Sequence, residues 1–87
     1  MRLLDLGGDR ASLEFATAEW PIVRAGLARL GTVSVLHEPT YDLLRIQGET
    51  LLSMNEWDEP CLIAETQAGI AILEALAGDR IDQVAAE

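Results

Sequence analysis

The stretch Tyr41-Asp42-Leu43-Leu44-Arg45-Ile46-Gln47-Gly48-Glu49-Thr50-Leu51-Leu52-Ser53-Met54-Asn55-Glu56 decides the fold. Two runs, 41–47 and 50–56, flank Gly48-Glu49, and runs of that length around a glycine dipeptide read as a β-hairpin. Glycine in the first central position predicts a type II′ two-residue turn, whose twist matches that of the flanking strands. Such a turn sets Ile46 opposite Leu51 on one side of the ribbon and Leu43 opposite Met54 on the other. Both sides therefore carry apolar residues. The ribbon is expected either in the middle of a sheet, or with one face covered and the other left for an interface.

On the N-terminal side, Thr32 to His37 reads as a strand through its β-branched residues, and Glu38-Pro39-Thr40 breaks it. Before it, Trp20, Val23, Leu27 and Leu30 make one stripe on a helix, with Thr17 as the expected cap and Gly31 as the stop. Pro21 then falls in the first turn, where its missing N–H costs nothing, and Arg24 and Arg29 lie toward the negative end of the dipole. At the start of the chain, Arg2 to Leu6 and Ala11 to Ala16 flank the turn Gly7-Gly8-Asp9-Arg10. The second run alternates, with Leu13 and Phe15 on one face and Ser12 and Glu14 on the other.

On the C-terminal side, Trp57-Asp58-Glu59-Pro60 reads as the end of the ribbon and Cys61 to Ala64 as a short strand. Thr66 is the expected cap of a second helix running to Ala77, with Ile70, Leu73 and Leu76 or Ala77 inward and Gly78 as its stop. The tail 79–87 either adds a helical turn or frays. The elements predict an α+β fold, a small mostly antiparallel sheet with two helices packed on one face, formed by a single domain over residues 1–87.

Charge bounds the function. Fifteen carboxylates stand against six arginines and no lysine, for a formal net charge of -9. From Gly48 onward there are nine carboxylates and one arginine. Nucleic acid is bound through cations that displace its counterions, so such a chain is opposed to it. Anionic membranes are disfavoured on the same ground. Arginine used without lysine points to a GC-rich bacterial genome. The start lacks the apolar core of a signal peptide, and no apolar run reaches bilayer length, so a cytoplasmic location is the expectation.

The densest polar region is Asn55 to Cys61. A metal site of Cys61, His37 and Asp58 or Glu59 would mix a soft thiolate with hard carboxylates and lacks the paired spacing of structural zinc, so no metal or other cofactor is expected. His37 and Glu38 could form an oriented base, but they point to opposite faces and do not meet if the strand continues through Glu38. Trp20 falls on the apolar stripe of its helix and is expected in the core. Tyr41 and Trp57, by contrast, flank the open end of the hairpin among acids, and aromatic residues within a charged rim are a pattern of protein-binding patches. The expectation is a non-catalytic, acidic protein-interaction module using Tyr41, Glu56, Trp57, Asp58 and Glu59 to neutralise or sequester a basic protein partner. The alternative is a structural homodimer through the second apolar face of the ribbon; a small metal-dependent enzyme ranks third.

Overall fold

The computed structural model describes residues 1–56 and 59–85, the side chains of Glu56 and of 79–85 excepted. The strands are β1 (Arg2–Gly7), β2 (Arg10–Glu14), β3 (Ser34–His37), β4 (Asp42–Ile46), β5 (Glu49–Glu56) and β6 (Glu59–Ala64). Helix α1 (Trp20–Leu30) follows β2 and helix α2 (Gln67–Ala85) follows β6. The six strands form one sheet in the order β1-β2-β6-β5-β4-β3, with every neighbouring pair antiparallel. The α+β arrangement expected from the sequence is the one observed.

Pleating sorts the side chains. Leu13 of β2 stands opposite Leu62 of β6, and Leu51 of β5 opposite Leu44 of β4. With Ala11, Phe15, Ile46 and Ala64 they form one face of the sheet, on which Val23 and Leu27 of α1 and Ile72, Leu73, Leu76 and Ala77 of α2 complete a single core. Both helices thus lie on the same side.

The local chemistry differs from the expectation in four places. The β4–β5 turn is Gln47-Gly48, with Ile46 opposite Glu49, not Gly48-Glu49. Both turn residues have positive φ, 53° and 77°, as a type I′ turn requires. Leu44, not Ile46, therefore meets Leu51, and Leu43 meets Leu52 rather than Met54. The pairing moves by an even number of residues, so every side chain stays on its expected face.

Thr17 opens a short 3-10 turn (Thr17–Glu19) instead of capping α1. The Glu19 carboxylate accepts from the Ala16 N–H at 2.9 Å, and the amino group of Met1 lies 3.5 Å from the same oxygen. Pro21 sits in the first turn of α1 as expected. Gly78 does not stop α2, which runs on to Ala85. Nor does Glu59-Pro60 end the ribbon: β6 begins there, with Glu59 opposite Glu56 and Pro60 opposite Asn55. A proline lacking its N–H is tolerated near the start of a strand, and here the Pro60 carbonyl accepts from Phe15 N at 3.2 Å.

Candidate functional site

The face of the sheet turned away from the helices carries an apolar row. Leu4 stands opposite Ser12, Ser12 opposite Ile63, Ile63 opposite Leu52, Leu52 opposite Leu43, and Leu43 opposite Leu36. The row crosses all six strands, a distance of about 25 Å at the usual strand spacing. Among the described residues, none of these leucines nor Ile63 belongs to the core cluster, and no helix lies over them. Ser12, only 5% exposed, is enclosed by its neighbours in the row.

One side of this row is bordered by Arg2, Glu14, Cys61 and Met54, paired in that order across β1, β2, β6 and β5. Arg2 donates to Glu14 Oε1 at 2.7 Å. That hydrogen bond first, then the Glu14 charge and more weakly that of Glu59, push the Arg2 guanidinium further above its ordinary value. Glu59, two residues before Cys61 on β6, falls on the same face and lines a hollow with Arg2 and Glu14. The other side holds Thr50 and Arg45, paired across β5 and β4, and the Arg10–Glu65 ion pair at 3.4 Å. The arrangement is an apolar strip with charged margins.

The residues anticipated as a partner patch divide around it. Tyr41, 36% exposed, precedes β4 and lines a shallow 300 Å³ cavity with Trp20, Asp42, Ser53 and Met54, in whose wall no residue of the apolar row takes part. Glu59 is exposed on β6. Glu56 ends β5 opposite it, while Trp57 and Asp58 lie outside the described residues. Leu4, Leu36, Leu52 and Ile63 were not singled out from sequence. The signal available for them was the apolar character of both sides of the central ribbon.

A second concavity, of 760 Å³, lies on the helical side between α1 and the strands β3, β4 and β5. Trp20 forms part of its wall, half-buried rather than central, and meets Phe15 edge to face with ring centroids 4.8 Å apart. Arg24 lies 5.4 Å from the Trp20 ring centre. Across the cleft, His37 Nδ1 and Asp42 Oδ1 are 2.8 Å apart. Asp42 stands opposite His37 on one side and Ser53 on the other. The carboxylate, not the imidazole, is thus the middle member of the row, whereas activation of a serine requires the imidazole between hydroxyl and carboxylate. Asp42, rather than the neighbouring Glu38, is the acid that orients His37.

His37 and Cys61 lie on opposite faces of the sheet and three strands apart, so they share no site. No group of three or more potential metal ligands occurs among the described residues. No described helix is long and apolar enough to cross a membrane. Compared with protein-family models, curated proteins and solved structures, the chain matches none of them.

Proposed function

We propose that this chain is a non-catalytic protein-interaction domain that holds a basic protein partner against the helix-free face of its sheet. The observation that carries the reading is the helix-free apolar row from Leu4 to Leu36, in which Leu36 is exposed and Leu4, Leu43, Leu52 and Ile63 are half-buried. Apolar strips rimmed by polar groups are where partners dock. The sign of the partner rests on the net charge of the whole chain, -9, which draws a cationic surface. The charges named at the margins of the row, Arg2, Arg10 and Arg45 against Glu14, Glu59 and Glu65, balance. The order of His37, Asp42 and Ser53 favours a binding role over nucleophilic catalysis.

Selection of peptides from a random displayed library against the purified chain tests this reading. Recovered sequences are expected to combine Lys or Arg with large apolar residues, to bind more weakly as salt rises, and to lose at least about tenfold in affinity to Leu52→Glu. Binders indifferent to Leu52→Glu, or selected sequences without a cationic bias, overturn it.

A further inference from the structure

We infer that two copies of this chain join edge to edge through β3, pairing it antiparallel with itself across a two-fold axis so that one sheet runs through both. This does not rest on the reading of the helix-free face, because it concerns the open edge of the sheet, with Leu36 at the end of the apolar row belonging to both.

The sheet has two edges, and they are built differently. β1 carries Arg2 and Asp5, and its pairing with β2 is interrupted by an irregularity between Asp5 and Gly7. Charges and bulges are the usual means of blocking edge pairing. β3, Ser34-Val35-Leu36-His37, has no carboxylate, lysine, arginine or proline, and its four pairs with β4 run without a break. Glu38 N donates to Tyr41 O at 2.9 Å, so the Glu38 N–H points toward β4. Backbone groups alternate along a strand, which turns those of Val35 and His37 to the open edge.

The side chains narrow the choice of occupant. Val35 is 49% exposed and Leu36 is 56% exposed, the two highest values among the exposed large hydrophobics of the described residues. They are consecutive, so they lie on opposite faces. A partner laid on one face would cover only one of them. A strand added at the edge flanks both.

Charge favours a second copy in this place. Two chains of net charge -9 repel each other over most of their surfaces. The run from Trp20 to His37, which supplies α1 and β3, has no Asp or Glu and includes Arg24 and Arg29. The edge therefore belongs to a segment without carboxylates of its own, the nearest being Glu38, next in the chain, and Asp42, which is bonded to His37. Antiparallel pairing of β3 with itself also keeps core face with core face when Val35 meets Val35 or Leu36 meets Leu36. The 760 Å³ cleft, which Val35 and His37 help to line, would then border the partner copy.

Four-residue strands make a small contact, so the dimer is expected to be of micromolar strength. Sedimentation equilibrium of the full chain from about 1 μM to about 1 mM should resolve it, and added salt should tighten it by screening self-repulsion. Val35→Pro removes an N–H that the monomer does not use, and Val35→Lys adds a charge at an exposed position. Each should weaken the dimer at least about tenfold while circular dichroism stays unchanged, whereas Leu52→Glu should leave it intact. Amide exchange at Val35 and His37 should slow as dimer forms, an observation independent of any variant. A monomer at every concentration, a dimer lost to Leu52→Glu but not to Val35→Lys, or a β3 edge that pairs only with a strand of another protein overturns the inference.

Discussion

Gly26 of α1 and Leu76 of α2 approach so closely that a methyl group on Gly26 would stand 2.7 Å from Leu76 Cδ2. The glycine sets how near the two helices come, and Leu76 is almost wholly enclosed there. Gly26→Ala would gain about 1 kcal/mol of helix propensity but force an overpacked core, which costs about 1–3 kcal/mol. The expected net result is a loss of about 1 kcal/mol in urea denaturation. Adding Leu76→Val should make the double variant more stable than the two single losses combined would allow.

Leu51 and Leu52 are neighbours in β5 with opposite surroundings. Leu51 is fully buried under the helices, and Leu52 lies on the helix-free face. Leu51→Ala is expected to cost about 2–5 kcal/mol. Leu52→Ala should cost less, about 1–2 kcal/mol, because the side chain is half-buried on a face no helix covers. Comparable losses from thermal or chemical denaturation of the two variants would mean that the helix-free face is covered in the isolated chain.

Thr66 joins the start of α2 to β5. Its Oγ1 accepts from Gly69 N at 3.0 Å and donates to the Glu49 carboxylate. Thr66→Ala removes both contacts and is expected to cost about 1–2 kcal/mol, while Thr66→Ser retains most of the stability. Chemical denaturation of the two variants side by side checks the difference. A Ser variant as weak as the Ala variant would show that the methyl group, not the hydroxyl, matters.

Gly48, at φ 77°, has nothing within 4 Å of the place a Cβ would occupy. Gly48→Ala therefore meets no steric neighbour, and its whole cost is backbone conformation, about 1–2 kcal/mol. Because the turn fixes the β4–β5 register, amide exchange along both strands should rise in this variant. An unchanged exchange pattern would count against the turn as the register lock.

The legible part of the fold was what periodicity encodes. Trp20, Val23, Leu27 and Leu30 marked α1, Leu13 and Phe15 marked the inner face of β2, and Thr66 was identified as the cap that it is. Pairing was less readable where a residue acts against its habit. Gln47 adopts a left-handed backbone that glycine, Asn or Asp normally supplies, which hid the type I′ turn. Its side chain donates to Leu30 O at 2.5 Å, a contact no local pattern predicts. Pro60 argued against a strand that nonetheless begins at Glu59. The insertion of β6 between β2 and β5 left no local trace, because strand order depends on contacts between distant segments. For the site, Tyr41 and Glu59 were named from sequence as an aromatic and an acid at the open end of the hairpin, and both are exposed. The row on the helix-free face needed that strand order, since it exists only once six separate strands are aligned.

The place of β6 also governs when the domain can form. Strands β3 to β6 pair with their chain neighbours, and β2 pairs with β1, but that first hairpin must wait for residues 61–64 before it can join the rest of the sheet. During synthesis the first hairpin and α1 leave the ribosome before the later strands and α2, which complete the core around Leu13 and Val23. Closing that long-range pairing is the slow event that non-local contacts impose, and the interval before it is when a nascent chain is most open to capture or misassociation.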